Sequence, residues 1–461
     1  MAIVNSFIVP HPPLIIPEIG RGEERKIQKT IDAYHNIGKQ ISEIKPDTII
    51  ITTPHSIMYS DYIHISPGDE ARGSFREFGH SNVSMEAEYD LELVKEISIE
   101  AEKEGISAGT LGEKSSSLDH GVMVPLYFVN KYYSDYKLVR ISISGLPYLD
   151  HYKFGKCIKK AAEKSNKKIV FIGSGDLSHM LKDAGPYGYR EEGPVFDREV
   201  TRAMKTGNFL EFLKFDGDFC ESAAECGLRS FIIMAGATDG KKVSPELLSY
   251  EGPFGVGYAV AAFKVLGDDE GRRFEEIYLN SEMERIESLK REEDEYVRLA
   301  RQTLESYVIN RKKIKKPDNL SSELLKTKAG VFVSLKLDGS LRGCIGTTSS
   351  TTPSIADEII QNAVSAATED PRFPPVREDE LKRLVYSVDV LGEAEKIKSI
   401  DELNPEIYGV IVSKGHRRGL LLPNLEGIDT AEKQVSIALR KAGIYPEEKY
   451  QLERFQVVRH K

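Results

Sequence analysis

The chain has 461 residues, 40% apolar and 29% charged, with 21 Tyr, 18 Phe and no Trp. That length exceeds one ordinary core, so two domains are expected, and the composition excludes extended disorder. The net charge of −9 is uneven: residues 1–289 hold 34 Lys+Arg against 45 Asp+Glu, and residues 290–461 hold 29 against 27. The acidic excess excludes a nucleic-acid groove on the first part, because phosphate binding needs a basic footprint.

Four cysteines (Cys157, Cys220, Cys226 and Cys344) are too few for a disulfide framework, and a reducing cytoplasm is expected. No run of 18 uninterrupted apolar residues is present, so no membrane span is expected. The N-terminal stretch lacks a basic region and is broken by prolines, so it reads as a strand and a loop rather than a signal peptide.

In chain order, residues 3–9 read as a strand that ends at Pro10-His11-Pro12-Pro13. Residues 22–44 carry helical spacing (Ile27, Ile31, Tyr34, Ile37, Ile41, Ile44), and 48–52 read as a strand before Pro54-His55. Helices are expected over 86–104, 150–165 and 221–237, and strands over 138–143, 168–172 and 258–265. Apolar runs separated by helices imply an α/β fold, with a mainly parallel sheet covered by helices on both faces. In such sheets sites gather at the carboxyl ends of strands. The first domain is expected over 1–266 and a charged linker or helix over 267–289. A smaller α+β domain is expected over 290–461, with strands at 330–337, 384–391 and 408–413.

Ten histidines are present. His35, His64, His80, His151, His416 and His460 have no recognisable partner pattern and read as structural or solvent-facing. The other four lie in distinctive loops: Pro10-His11-Pro12-Pro13, Pro54-His55, Asp119-His120-Gly121 and Gly175-Asp176-Leu177-Ser178-His179. Imidazole serves as metal ligand and as general base, and adjacent prolines stiffen the loops that hold it.

Together with Ala224-Glu225-Cys226-Gly227-Leu228-Arg229, these motifs resemble class III extradiol dioxygenases of the LigB type over about residues 1–265. The resemblance implies iron(II) held by His11, His55 and Glu225, three positions left open for a catechol-type aromatic and O2, and ring cleavage. It further implies His179 as acid–base residue and His120 as a donor that orients oxygen or substrate. The segment also resembles the Memo family, relatives with the same fold and no ring-cleaving activity, in which a thiol joins two histidines. That resemblance implies Cys226 as ligand and copper or zinc as the metal. With Leu228, Phe231, Ile232 and Ala235 marking the core face of the 221–237 helix, Glu225 is the favoured third ligand.

The second domain carries Leu341-Arg342-Gly343-Cys344-Ile345-Gly346, then Glu369-Asp370-Pro371-Arg372-Phe373-Pro374-Pro375, Val385-Tyr386-Ser387-Val388-Asp389 and Gly419-Leu420-Leu421-Leu422-Pro423. These resemble the AMME-region (AMMECR-type) family, and the pairing of both modules resembles the AmmeMemoRadiSam system. That resemblance implies a radical S-adenosylmethionine protein as partner. Gly343 and Gly346 fit a tight turn or close backbone approach; the functional alternative makes Cys344 a reactive thiol and Arg342 an anion clamp. No second cysteine lies near Cys344 in sequence for a zinc or iron–sulfur motif.

Overall fold

The computed structural model describes residues 2–425 and 427–461, in two compact units that divide between Asn280 and Ser281. The first is built on strands β1 (Ile3–Val9), β2 (Thr48–Thr53), β3 (Glu70–Phe75), β4 (His80–Glu88), β5 (Lys137–Ser142), β6 (Ile169–Ser174), β7 (Lys241–Glu251) and β8 (Tyr258–Asp268). Six of them form one sheet in the order β7-β8-β1-β6-β2-β5. The four strands β1, β6, β2 and β5 run parallel, and β8 and β7 add an antiparallel edge. Every residue of β2 and β6 is buried, as expected of parallel strands covered on both faces.

Alternation along the strands divides the core. Ile8, Ile50, Val139, Ile141 and Phe171 face helices α2 (Leu91–Lys103), α4 (Tyr148–Ser165) and α6 (Leu228–Ala237). Phe7, Val9, Ile49, Ile51, Val170 and Ile172 face α1 (Gln28–Ile44) and α3 (His120–Val129). Helix α1 buries Ala33, Tyr34, Ile37 and Ile41, the stripe its spacing predicts. Burial of Ile37 and Ile41 contributes about 1.5–3 kcal/mol each. A further helix, α5 (Glu192–Thr206), packs on β7.

Three local differences from the sequence expectation bear on the site. Residues 80–88 are a strand and α2 begins only at Leu91, where the Asp90 side chain accepts the Leu93 N–H. The β3–β4 hairpin and β7 carry no strong apolar period and are not read from sequence. The helix expected over 221–237 is two helices, Gly217–Ala223 and α6, because Ala224 takes a left-handed conformation (φ 50°) and the chain turns through 224–227. This turn is pressed against the end of β6: a Cβ on Gly175 would lie 2.1 Å from Gly227 Cα, so the two backbones touch.

Helix α7 (Phe274–Glu292) runs through the division between the units. The second unit holds two four-stranded antiparallel sheets. The first, β10-β9-β11-β16, comprises β9 (Val331–Leu337), β10 (Ser340–Gly346), β11 (Leu384–Leu391) and β16 (Val457–His460). The second, β12-β15-β13-β14, comprises β12 (Glu395–Ile397), β13 (Gly409–Lys414), β14 (Arg417–Leu421) and β15 (Gln451–Phe455). Helices α8 (Glu295–Asn310) and α9 (Ile355–Thr368) share a core with the first sheet, and α10 (Ala431–Ala442) with the second. No described helix is long and apolar enough to cross a membrane.

Candidate metal centre

Parallel strands β1, β2 and β6 end side by side, and the loops that leave them bring three donors together. His11 follows β1, His55 follows β2, and Cys226 comes from the turn held against the end of β6. One ligand atom from each lies within 4.8 Å of the other two. His11 Nε2 and His55 Nε2 are 2.9 Å apart, and Cys226 Sγ is 3.6 Å from His11 Nε2. His11 is buried, Cys226 half-buried and His55 faces outward.

The surroundings fix how His11 presents itself. Its Nδ1 lies 2.9 Å from Ser174 Oγ, and that hydroxyl donates to the Gly121 carbonyl at 2.6 Å. A hydroxyl has one hydrogen, so Ser174 accepts from His11 Nδ1–H and the Nε2 lone pair is turned toward His55 and Cys226. The His11 backbone N–H donates to Asp176 Oδ1 at 2.8 Å, and the Asp176 N–H donates to Cys226 Sγ at 3.3 Å. On the other side, Thr53 Oγ1 accepts the His55 N–H at 3.2 Å and donates to Asp119 Oδ1 at 2.6 Å. Asp119 also caps α3, which makes His120 the first residue of that helix.

The donor set fits a transition metal. Two imidazole nitrogens and a sulfur gathered within 4.8 Å of one another are the donor types that would hold zinc or copper. Burial and then the neighbouring imidazoles hold His11 well below the usual histidine range. Loss of solvent and His120 push His55 down to about 4. Both rings are therefore neutral at pH 7, the form that ligates. Burial, with Asp176 and Glu225 nearby, raises the Cys226 thiol, so a metal would have to displace its proton.

Glu225 does not join this group. Its carboxylate accepts the Leu228 N–H at 2.6 Å at the start of α6, where an acid also suits the helix dipole. Of the two candidate third donors, the structure brings Cys226 beside His11 and His55 and leaves the Glu225 carboxylate on the Leu228 N–H. The physical reason is the Ala224 turn: residues 225 and 226 precede the helix, so helical spacing does not decide which one faces the histidines.

His120 lies over His55, ring centroids 4.0 Å apart and tilted by 35°, with Phe78 edge-on at 5.5 Å. Burial lowers His120 to about 4. Beside these rings opens a cavity of about 1150 Å³, with walls from His55, His120, Phe78, Met85, Met123 and Arg140. Phe78 and Met85 come from the β3–β4 hairpin. The sequence signal available for it was the weak alternation over 80–88. Arg140 is fixed by Ser66 Oγ at 2.6 Å and the Ser115 carbonyl at 3.0 Å.

His179 stands close enough to act on the charge of His11 and His55 but lies outside the three-donor group. Its Nδ1 is buried without a hydrogen-bond partner among the described residues, its ring meets Tyr187 edge-on at 5.1 Å, and burial lowers its pKa.

In the second unit Arg342 is no open anion clamp. Its guanidinium donates to Glu380 Oε1 at 2.7 Å, Glu380 Oε2 at 3.1 Å and the Pro374 carbonyl at 2.9 Å, so its donors brace a loop. Cys344 receives a hydrogen bond from Ser334 Oγ at 3.1 Å, and burial raises its thiol, the opposite of an activated cysteine. Gly343 meets the close-approach expectation: a Cβ there would sit 2.1 Å from the Ala366 carbonyl of α9.

Comparison with known proteins gives two family matches. Residues 5–261 match the model described as the catalytic LigB subunit of aromatic ring-opening dioxygenase, and residues 297–460 match AMMECR1. A protein from Clostridium acetobutylicum is 46% identical over 474 residues, covering 100% of both chains. A protein from Thermotoga maritima is 52% identical over 172 residues, 37% of this chain and 98% of its own. Among solved structures, an uncharacterized protein from Pyrococcus horikoshii is 34% identical with a TM-score of 0.34, over 36% of this chain and 88% of its own.

Proposed function

The chain belongs to the LigB family, with an AMMECR1 domain behind it, and from that premise we propose that its first unit is a metal-dependent redox protein with a His11–His55–Cys226 centre. The observation that carries this reading is Cys226 Sγ at 3.6 Å from His11 Nε2, while Glu225 is tied to the Leu228 N–H. A thiolate beside two imidazoles favours copper or zinc over an oxygen-activating iron(II), and of the two only copper would carry the redox role. A bound ion there supplies Lewis acidity or electron transfer.

The chain's own residues do the rest. Ser174 holds His11 in the ligating tautomer, and Thr53 and Asp119 position His55 and His120. His120 and His179, both neutral at pH 7, are proton acceptors beside the centre. The cavity next to His55 and His120 receives the substrate. By its resemblance to the AmmeMemoRadiSam system, the protein works with a radical S-adenosylmethionine partner that brings its own cluster.

A second reading keeps the chemistry in the name of the family model: iron(II), a small catechol-type aromatic, O2 and ring cleavage. The observation that favours it is the cavity beside the imidazoles, open to a ring-sized ligand. It requires Glu225 to leave Leu228 and reach the centre.

Two variants separate the readings. In the thiolate reading, Cys226→Ala loses stoichiometric metal on purification and Glu225→Gln keeps it. The reverse result, with iron retained by Cys226→Ala and oxygen uptake over a catechol panel, would overturn it.

A further inference from the structure

The run Arg311-Lys312-Lys313-Ile314-Lys315-Lys316 holds five cations in six residues, although residues 290–461 together have 29 Lys+Arg against 27 Asp+Glu. It begins where α8 stops, at a left-handed Arg311 (φ 55°). Two residues tie it down. Ile314 packs against the core of α8, α9 and the first sheet of this unit. Lys316 Nζ reaches Asp357 Oδ2 at 2.6 Å and Ser354 Oγ at 3.3 Å. Arg311, Lys312, Lys313 and Lys315 are exposed, with no ion-pair partner among the described residues.

The fold enlarges this patch. The Ile355 N–H donates to the Thr327 carbonyl at 2.9 Å, so Lys326 and Lys328 stand beside the same first turn of α9 that Lys316 touches. Both are exposed and lack an ion-pair partner among the described residues. A Cβ on Gly330 would lie 2.9 Å from the Ser349 nitrogen, which brings the exposed Thr348 and Ser349 alongside. Asp357 is engaged by Lys316, and Glu358 is buried and held by the Thr347, Thr351 and Thr352 hydroxyls. The exposed acids of these segments are Asp318 and Glu323, which the unpaired cations outnumber.

We propose that this patch is a docking surface for the phosphate backbone of a nucleic-acid duplex. Charge density selects that partner. Residues 311–315 span at most about 17 Å when extended, and a duplex presents one phosphate charge per about 1.7 Å of its axis. Each of the four cations there has a phosphate within reach. An acidic peptide carries at most one charge per about 3.3 Å, on alternating sides. A bilayer surface is held by a face of several apolar residues. Beside the run, among the described residues, Ile309 alone is an exposed large hydrophobic. Lysines with Ser and Thr hydroxyls are the groups that hold phosphate without reading sequence. The acidic excess of residues 1–289 keeps the contact local to this patch.

The test is fluorescence anisotropy of the full chain with a dye-labelled DNA duplex of about 20 base pairs in about 50 mM salt. Two duplexes of unrelated sequence should bind alike, and log affinity should fall against log salt with a slope of about −3 to −5. The combined Lys312→Gln, Lys313→Gln and Lys315→Gln variant should bind at least about tenfold more weakly. Its slope should be shallower by about 2–3, near one unit per lost phosphate contact. Lys433→Gln, Lys441→Gln and Lys449→Gln together, exposed lysines in and after α10, should leave binding as in wild type. Phosphatidylserine–phosphatidylcholine vesicles and polyglutamate are the rival polyanions, and both should bind more weakly than the duplex. Tighter binding of either overturns the proposal. So does absence of duplex binding at this salt, or equal binding by the two combined variants.

Discussion

Ser174 Oγ accepts a hydrogen bond from His11 Nδ1 at 2.9 Å while donating its own hydrogen to the Gly121 carbonyl at 2.6 Å. The relay joins the end of β6, the loop after β1 and the first turn of α3. One hydroxyl therefore sets the tautomer of His11 and ties it to the turn that carries His120.

Ser174→Ala should lower metal affinity by about 10–100-fold, the usual effect of removing a partner that orients a ligating histidine. Ser174→Thr, which keeps the hydroxyl, should restore most of it. Competition against a chromophoric chelator measures both, and an affinity for Ser174→Ala equal to wild type refutes the relay.

His179→Ala should keep stoichiometric metal, since His179 lies outside the three-donor group. Any turnover should fall by about 10²–10⁴-fold, as for a general acid–base residue. Loss of metal from this variant, read by elemental analysis, would place His179 among the ligands.

Asp197 carries a pH dependence of stability. It is buried, accepts the Ser178 N–H at 2.8 Å and the Tyr250 hydroxyl at 2.7 Å, and burial pushes its pKa up to about 7. Its folded-state pKa thus exceeds the unfolded value of about 3.9. The stability this confers is complete below about pH 4 and is lost as pH rises toward 7, by at most about 1.4 kcal/mol per pH unit. In Asp197→Asn, urea unfolding of the first unit between pH 4 and 7 should decline less steeply than in wild type. Equal slopes would show that Asp197 ionises alike in both states.

Gly343→Ala should destabilise the second unit by about 1–3 kcal/mol, the range for overpacking, because the new Cβ would meet the Ala366 carbonyl at 2.1 Å. Thermal unfolding of the full chain measures it, and an unchanged transition would mean that α9 yields at no cost.

Much of the first unit was legible in the sequence because its signals are local. Strands β1, β2, β5 and β6 are short β-branched runs, and α1 has an apolar stripe that only a helix puts on one face. The histidines after β1, β2 and β6 follow from the same reading, since parallel strands place their carboxyl ends together. The β3–β4 hairpin was not legible, because its residues alternate too weakly to mark a buried face. With it went the cavity that the hairpin helps to wall.

The sequence by itself determined that His11, His55, His120 and His179 would meet at one end of a mainly parallel sheet. It also determined that an AMMECR-type module follows, because both depend on runs and motifs contiguous in the chain. Only the tertiary structure shows which of Glu225 and Cys226 lies beside the histidines. Adjacent residues differ in direction by an amount that depends on local φ and ψ, and the left-handed Ala224 takes both out of the helix. The contact of Gly175 with Gly227 then holds the turn so that the sulfur, not the carboxylate, reaches His11. The same holds for Arg342: its charge is in the sequence, but its engagement by Glu380, 38 residues on, exists only once the chain has folded.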